Sequence, residues 1–324
     1  MKGLRKDQNP GPSAASTLEV DEGGAGQRLD NFLVRILKGV PKSHVYRMLR
    51  TGEVRVNSGR VDAGYRLAPG DRVRVPPVRT AAPPAIASAR RTNLSRHVLF
   101  EDDWIAALDK PAGVAVHGGS GISLGVIEQL RQERPELRFL ELVHRLDRET
   151  SGVLLLAKKR SALTALHAQI REGRTSKTYL TLVRGAWRDT RRHVRLPLHK
   201  YVTTEGERRV NVQVDGQHAH TLFIRERALE GFTLLGAELK TGRTHQIRVH
   251  LAHLGFPIAG DDKYGDFALN RALASQGLKR MFLHAAEFGF EHPASAQWTL
   301  LRAPLAADLA AFLARLPGTA QAVA

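Results

Sequence analysis

The sequence predicts an α+β fold in two domains, the larger of which is built on a mixed, mostly antiparallel sheet. The first observation is length, because 324 residues exceed one domain of about 150 residues. The second is patterning, since runs of alternating polar and apolar residues outnumber stretches with helical spacing. The third is that most gaps between these runs are short enough for hairpins, which join antiparallel strands.

The N-terminal domain is expected to be a compact helix–helix–strand module that follows a mobile tail. Residues 1–20 contain two prolines and many small residues, which favours a tail without fixed structure. Residues 21–80 carry two groups with helical spacing and two short alternating runs. The helical groups are Leu29, Phe32, Leu33 and Ile36, then Val45, Met48 and Leu49, and the alternating runs are 54–57 and 73–75. Ser43 is the predicted N-cap of the second helix, and Gly52 is its predicted end.

A segment rich in proline and alanine, residues 81–95, predicts a linker before the larger domain, residues 96–324. This domain is expected to begin with a hairpin over residues 98–108 that turns at adjacent acidic residues. Alternation predicts further strands, and apolar spacing predicts helices between them. The predicted strands are 153–157, 178–183, 220–225 and 232–239, and the predicted helices are 161–171 and 305–316.

The charge balance indicates a polyanionic partner. The chain has 49 Lys and Arg against 32 Asp and Glu, a formal net charge of +17 and a pI of about 10.7. Twelve of the basic residues but only four of the acids lie between residues 26 and 80. Nucleic acid is therefore the leading candidate for a partner.

Several classes of protein are excluded or disfavoured by composition. The chain has no cysteine, which excludes disulfides, thiolate zinc sites, iron–sulfur clusters and cysteine nucleophiles. No apolar run reaches the roughly 18 residues of a membrane span. The first residues are polar and contain no apolar core of a signal peptide. We therefore expect a cytoplasmic protein that does not enter a membrane.

The strongest local motif surrounds Asp147, in the stretch HRLDRETSG over residues 144–152. Arg145 and Arg148 flank the aspartate in a polar turn, directly before an apolar strand. A carboxylate at the rim of a sheet and inside a cationic pocket stays ionised and can act as a nucleophile. Spacing alone leaves open a surface turn in which Asp147 caps a helix or forms an ion pair.

A second motif, TGRTHQIRVHLAHLG, predicts a helix that Thr241 or Thr244 caps and Gly255 ends. Thr244, His245 and Arg248 share one face of this helix, from which Arg248 can reach an anion. The three histidines of the stretch suggest a metal site, but the HExxH pattern is absent and no acid lies nearby in sequence. Solvated or hydrogen-bonded histidines are the better interpretation.

A third segment, KTYLTLVRG, predicts a strand that carries Tyr179. A tyrosine on a strand is usually a packing residue, but in a site that handles a nucleobase it provides a stacking surface. The glycine-rich loop over residues 117–123 matches neither the dinucleotide fingerprint nor the P-loop, so a nucleotide cofactor is not supported. Asp261 and Asp262 could form a two-carboxylate site, although a turn explains them better.

Together the three motifs resemble the catalytic motifs of the RluA family of pseudouridine synthases, in the family's order. The resemblance covers the chain from about residue 96 to the C terminus, and residues 27–75 resemble an S4 RNA-binding domain. It implies a mixed, largely antiparallel sheet in two halves with the active cleft between them. It also implies an enzyme that isomerises chosen uridines of large-subunit ribosomal RNA to pseudouridine.

The resemblance also implies the roles of individual residues. Asp147 is the implied catalytic aspartate, and Arg248 is its partner. Tyr179 is the implied stacking surface for the target base, and Arg145 enters the RNA stack where the uridine has left. In the S4-like domain we expect RNA contacts from Arg28, Lys42, Arg47, Arg50 and Arg55. No metal, nucleotide or other cofactor is required by this reaction, and we expect a monomer.

Two other classes stay open at this point. A non-catalytic ribosomal-RNA-binding or ribosome-assembly protein would need only the basic N-terminal module, but it does not account for Asp147, Tyr179 and Arg248 together. The other class is a hydrolase or metal-dependent nuclease. The acids available to such an enzyme are Asp102, Asp103, Asp261 and Asp262. The sequence also leaves open whether Asp147 attacks the sugar, adds to the base or removes a sugar proton.

Overall fold

The computed structural model describes residues 15–21, 24–37, 39–78, 93–118 and 124–318. The chain divides into two compact units, Met1–Ala89 and Arg90–Ala324. Of the predicted linker, only residues 93–95 are among those described, and a 3-10 helix, Leu94–His97, starts there. The rest of the linker lies outside the described residues, as do residues 1–14 of the predicted tail and residues 119–123 of the glycine-rich loop.

The N-terminal unit packs two helices against a small antiparallel sheet. Its elements are β1 (Ser16–Glu19), α1 (Leu29–Ile36), α2 (Lys42–Thr51), β2 (Arg55–Val56) and β3 (Arg72–Val75). The strands lie in the order β1-β3-β2. The apolar groups with helical spacing point into one core, where they meet Val56, Val73 and Val75 of the sheet. The predicted helix–helix–strand module is therefore confirmed.

The start of this unit corrects one prediction. Residues 16–19 were expected in the tail, but they form β1 and pair with β3, so that Leu18 lies opposite Val73. These four residues include one apolar side chain, Leu18, which is only partly buried, so they give little signal in the sequence. The partner strand lies more than fifty residues along the chain, and its pairing supplies the stability that local propensity does not.

The ends of α2 give one correction and one confirmation. Ser43 is not the cap, because Pro41 occupies the N-cap position and no side chain bonds to the first turn. Proline suits this place because its φ is already near that of a helix and its missing N–H is not needed there. Gly52 ends the helix in the left-handed conformation with φ of 70°, as predicted.

The C-terminal unit is a large sheet with helices around it. Its elements are β4 (Val98–Glu101), β5 (Ile105–Lys110), α3 (Val126–Glu133), β6 (Glu141–Leu142), β7 (Ser151–Ala157), α4 (Arg160–Arg171), β8 (Ser176–Arg184), β9 (Arg191–Val194), β10 (Leu198–Val202), β11 (Arg208–Val212), β12 (Thr221–Leu229), β13 (Phe232–Leu239), α5 (Gln246–His253), α6 (Phe267–Ser275), β14 (Leu283–Glu291), β15 (Trp298–Arg302) and α7 (Ala307–Arg315). Each strand and helix predicted in this domain is present within a few residues of its predicted bounds. In the described part of the chain, no helix combines the length and apolarity needed to cross a membrane.

Eight strands of the ten-stranded sheet lie in the order β4-β5-β7-β14-β8-β13-β12-β9, with β6 paired to β7 and β15 to β14. Among the strand pairs of the described residues, only β7–β14 is parallel, so the sheet is mixed and mostly antiparallel, as predicted. Strands β10 and β11 form a separate hairpin. The parallel pair joins a β4–β7 half to a β14–β9 half, and the loop that carries Asp147 enters the sheet at this junction.

Gly152 is required at the junction. The pairing between β7 and β14 is short and places Gly152 opposite Ala285. The glycine has φ of 107°, and a Cβ there would lie 2.2 Å from the carbonyl oxygen of Ala285. Only glycine tolerates this conformation and approach, so the last residue of the motif HRLDRETSG fixes how its loop enters the sheet.

Candidate active site

A cleft of about 760 Å³ opens in the C-terminal unit where the two halves of the sheet meet. Its walls are the loop before β7, strand β8, the loop between β13 and α5, and the start of β14. Six Lys and Arg side chains line it, and among the described residues Asp147 is its only carboxylate. The cationic lining residues are Arg145, Arg171, Lys177, Lys200, Arg243 and Arg248. Such a lining favours a polyanion around one reactive acid.

Asp147 is presented to the cleft by an anchored loop. Its carboxylate is 30% exposed, so a substrate can reach it. The buried ammonium of Lys110 donates to the carbonyl oxygens of Pro111, Val114 and Arg148, at 2.8, 2.8 and 3.1 Å. Burial lowers the pKa of Lys110 to about 7. These bonds tie the residue after Asp147 to the end of β5, a contact that the sequence reasoning missed.

Arg248 connects Asp147 to a second aspartate. Its Nε and Nη2 donate to the two oxygens of Asp261, each at 2.7 Å, and its Nη1 donates to Oδ2 of Asp147 at 3.2 Å. The predicted proximity of Arg248 and Asp147 is thus present, but the stronger pairing is with Asp261. A planar guanidinium suits this arrangement, because one edge can fork onto one carboxylate while the remaining N–H reaches another.

Burial and charge shift the pKa values of Arg248 and Asp261 in opposite directions. Burial alone would raise the pKa of Asp261, but the hydrogen bonds and charge of Arg248 hold it below its usual value. Burial alone would lower the pKa of Arg248, but Asp261 and then Asp147 raise it above its usual range. The backbone N–H groups of Lys263 and Tyr264 also donate to Asp261, at 2.9 and 3.0 Å. The buried carboxylate is therefore fully satisfied in its ionised form.

His245 is the second group beside Asp147, with its Nε2 3.8 Å from Oδ2. It precedes α5 in the left-handed conformation, with φ of 53°, so neither Thr241 nor Thr244 caps this helix. Its Nδ1 lies 2.8 Å from the hydroxyl of Tyr264. Burial, opposed in part by Asp147, lowers the pKa of His245, so the ring is neutral at neutral pH.

Tyr179 forms the floor of the cleft. It lies on β8 between Ala237 of β13 and Ala285 of β14, and only 8% of it is exposed. Both neighbours are alanine, so neither carries a side chain large enough to cover the ring. Burial, aided by the charge of Asp147, raises the pKa of its hydroxyl, so the ring is neutral. A flat neutral ring near a carboxylate can stack a base without fixing its in-plane orientation.

Arg145 lies at the cleft with an exposed side chain. Within the described residues its guanidinium makes no hydrogen bond or ion pair, so this group is free to move into a bound strand. The structure therefore brings all four predicted residues, Asp147, Tyr179, Arg248 and Arg145, to one cleft.

The acids of the nuclease alternative do not assemble. Asp102 accepts from the backbone N–H groups of Trp104 and Ile105, at 2.7 and 2.8 Å, and so forms the predicted turn between β4 and β5. Asp103 is exposed in the same turn. Asp261 is held by Arg248, and the side chain of Asp262 is 74% exposed. Across the described ranges, no group of three or more His, Asp or Glu is gathered as a metal site would need.

The five basic residues predicted to contact RNA in the N-terminal unit are all exposed. Arg28 is paired with Asp30 at 2.8 Å, and Arg47 lies 3.0 Å from His44. The side chains of Lys42, Arg47 and Arg50 lie on the outer side of α2, opposite Val45, Met48 and Leu49 in the core. This surface of α2 is positively charged, as a phosphate-binding surface requires.

Two family models match the chain. Residues 105–253 match RNA pseudouridylate synthase, and this stretch contains Asp147, Tyr179 and Arg248. Residues 27–73 match the S4 domain. With the relatives that follow, these matches show that the chain belongs to the RNA pseudouridylate synthase family and is an isomerase that acts on RNA, as the motifs implied.

Known relatives indicate which kind of RNA pseudouridylate synthase this chain is similar to. The chain is 50% identical over 316 residues to ribosomal large subunit pseudouridine synthase C of Pasteurella multocida (strain Pm70), which covers 96% of this chain and 97% of that protein. It is 52% identical over 298 residues to the protein of the same name from Escherichia coli (strain K12), covering 90% and 93%. The solved structure of human RNA pseudouridylate synthase domain containing 1 matches with a TM-score of 0.53 and 25% identity, over 64% of this chain and 82% of that one.

Proposed function

We propose that this protein converts uridines of large-subunit ribosomal RNA to pseudouridine, with Asp147 as the catalytic carboxylate. The observation that carries the proposal is the contact between Asp147 and Arg248, at 3.2 Å, in a cationic cleft floored by Tyr179. The names of the relatives at about half identity support the choice of ribosomal RNA as substrate.

The reaction requires a bond to break and another to form within one nucleotide. The bond between C1′ of the ribose and N1 of uracil breaks, and C1′ then bonds to C5 of the same base. The proton on C5 leaves, and N1 gains a proton, so no electrons are gained or lost overall. The reaction therefore requires neither a redox cofactor nor a nucleoside triphosphate. The protein must supply charged groups, hold the nucleotide in position and exclude water.

Asp147 is suited to the sugar side of this reaction. Loss of the base gives the ribose cationic character, which a nearby carboxylate stabilises or traps. Arg248 orients this carboxylate through the contact at 3.2 Å, while the fork to Asp261 holds the guanidinium still. Attack on the sugar, addition to the base and removal of a sugar proton would all use the same carboxylate of Asp147.

Tyr179 and Arg145 are suited to the base. A uridine must leave its stack before it can enter the cleft, which costs a few kcal/mol. The ring of Tyr179 would hold the base while it turns, because stacking does not fix the in-plane orientation. Arg145, exposed at the cleft and free of partners in the described chain, would fill the gap in the RNA stack.

The N-terminal S4 domain would add affinity for the RNA through the outer surface of α2. Phosphate contacts of this kind hold the strand without reading its sequence. We also propose that the protein acts as a monomer, and that it acts in the cytoplasm because its substrate is ribosomal RNA.

The test is to incubate the full-length protein with unmodified transcripts of large-subunit ribosomal RNA. Pseudouridine keeps a carbodiimide adduct that uridine loses in alkali, and primer extension maps it as a stop. The account predicts new stops at defined uridines in an intact strand. Strand cleavage would instead support the nuclease alternative, and binding with neither effect would support the assembly-protein alternative.

A further inference from the structure

Lys177 is a cation of the cleft that the roles above leave unused. It lies on β8, lines the cleft and is only partly exposed. Within the described residues its ammonium makes no hydrogen bond or ion pair, and Nζ lies 5.6 Å from the centre of the Phe288 ring. A half-buried ammonium without an acceptor is unfavourable unless a ligand supplies one.

The strand places Lys177 beside the base-stacking surface. Side chains two residues apart on a strand point to the same side, so Lys177 and Tyr179 both face the cleft. Their Cα atoms are roughly 6.6 Å apart by strand geometry. On β14, Phe288 lies opposite Lys177, and Ala285 lies opposite Tyr179. A nucleotide whose base stacks on Tyr179 would therefore lie next to Lys177.

The surroundings of Lys177 favour an anion at this end of the cleft. His144 stacks on Phe288, with the ring centres 4.7 Å apart, and burial lowers its pKa to about 3. His167 lies on α4, and burial also lowers its pKa. Both rings are neutral at neutral pH, and Arg171, exposed on α4, adds a second cation to the same wall. Since no described side chain accepts a hydrogen bond from Lys177, the substrate is the source of an acceptor that the cleft leaves open.

We propose that Lys177 binds a phosphodiester group of the RNA strand, next to the uridine that lies on Tyr179. The inference rests on the proposed function, and it adds one backbone contact to the site. Phosphate fits better than a base carbonyl, because a lysine ammonium is a flexible point charge that binds anionic oxygens strongly. The residue would thus help to position the nucleotide through its backbone.

The test uses the full-length protein and a synthetic stem-loop that carries the uridine mapped above. Lys177→Met keeps the length of the side chain and removes its charge. Lys159→Met is the matched control, since the ammonium of Lys159 also lies over a ring, that of Trp104 at 4.2 Å, but outside the cleft lining. We expect Lys177→Met to raise KM about tenfold or more and to lower the salt slope of binding by about one, while Lys159→Met changes neither.

A second arm shows whether the contact is with phosphate. Single methylphosphonate groups, which are uncharged, replace the phosphates around the target uridine one at a time. A methylphosphonate at one position should weaken binding to the wild type. It should leave binding to Lys177→Met unchanged, because this variant has already lost the contact. Equal effects of every position on both proteins would overturn the inference, and so would a Lys177→Met variant with unchanged KM and a slower single-turnover step.

The controls separate this inference from the proposed function. If the wild type forms no pseudouridine in the unmodified stem-loop, the proposed function fails and the inference fails with it. If the wild type is active and Lys177→Met equals it in KM and salt slope, only the inference fails. Should Lys177→Met not fold, Lys177→Gln, which keeps a polar side chain of similar length, takes its place in the same measurements.

Discussion

Arg248 and Asp261 form a fork of two hydrogen bonds, each 2.7 Å long, beneath the cleft. The fork uses Nε and Nη2 of the guanidinium and leaves Nη1 for Asp147 at 3.2 Å. Arg248 therefore links a buried aspartate to a partly exposed one. The two aspartates have different tasks, since one holds the arginine in place and the other faces the substrate.

The first prediction concerns the buried aspartate. Asp261→Asn removes the charge that compensates Arg248, which is only 6% exposed. Breaking a buried ion pair by removing one partner costs about 3 kcal/mol or more. We expect the free energy of unfolding in urea to fall by about that amount, and the single-turnover rate to fall less than in a variant of Asp147.

Asp308→Asn is a matched control for this variant. Asp308 also accepts two hydrogen bonds from one arginine, Arg280, at 2.6 and 2.9 Å, but its side chain is 54% exposed. A surface pair is worth about 1 kcal/mol or less. Equal losses of stability in the two variants would contradict the prediction that the buried Arg248–Asp261 pair stabilises the fold more than an exposed pair does.

The second prediction concerns the pH dependence of stability. The folded chain holds the pKa of His144 at about 3 through burial, below the 6.5 of an unfolded histidine. As the pH falls below 6.5 the unfolded chain takes up this proton first, so stability is lost. At pH 5 the loss from this one group is about 2 kcal/mol relative to pH 7.5.

His144→Phe tests this assignment. The variant keeps a ring to stack on Phe288 but has no titrating group, and it leaves the N–H of Leu155 without its acceptor. Urea unfolding should show lower stability at pH 7.5 and a smaller drop between pH 7.5 and pH 5. If the drop is the same in both proteins, His144 does not contribute to it.

The sequence predicts the site well where one short stretch carries the signal. Asp147 lies in a motif that already combines the carboxylate, two arginines and Gly152, which shapes the loop. Asp261 was interpreted as a turn residue, and its backbone contacts do form that turn. Its contact with Arg248 depends on the path of the twelve intervening residues, which no local pattern encodes. Lys110 and Lys177 were missed because an isolated lysine gives no sign of burial before the strands are assembled.

In the fold, too, elements set by local sequence were predicted, whereas elements that depend on distant contacts were missed. Strand β13 has its predicted bounds, because a tight turn at Glu230 and Gly231 marks its start. Strand β1 was missed, because its stability comes from pairing with β3 far along the chain. The cap of α5 was placed wrongly, since the side chain of Gln246 accepts from the N–H of Arg243 and the hydroxyl of Thr241, a loop arrangement without a common sequence pattern.

The third prediction concerns the N-terminal unit. Arg47→Ala combined with Arg50→Ala should weaken RNA binding with little dependence on sequence, because both side chains are exposed on α2. Each lost phosphate contact lowers the slope of log K against log salt by about one. Removal of residues 1–80 should lower the slope further. An unchanged slope in the truncated protein would contradict RNA binding by this unit, and substitution of both arginines by lysine is the control that retains the charge.

The fourth prediction is that turnover survives chelation. The charges that the reaction needs are supplied by Asp147 and Arg248, and both glycosidic bonds belong to one nucleotide. A short stem-loop substrate is required, since longer RNAs lose their fold without divalent ions. Loss of activity in EDTA that added Mg²⁺ or Zn²⁺ restores on this stem-loop would contradict the prediction.

The most direct test of the account is the single-turnover rate of Asp147→Asn on a stem-loop that the wild type modifies. The carboxylate is partly exposed and the amide has the same shape, so the variant should fold normally. It should bind the RNA at least as tightly as the wild type, because a negative charge beside a polyanion has been removed. The account predicts no detectable pseudouridine in this bound complex. A rate above about a thousandth of the wild-type value would contradict it, because loss of a group essential to the chemistry commonly costs at least that factor.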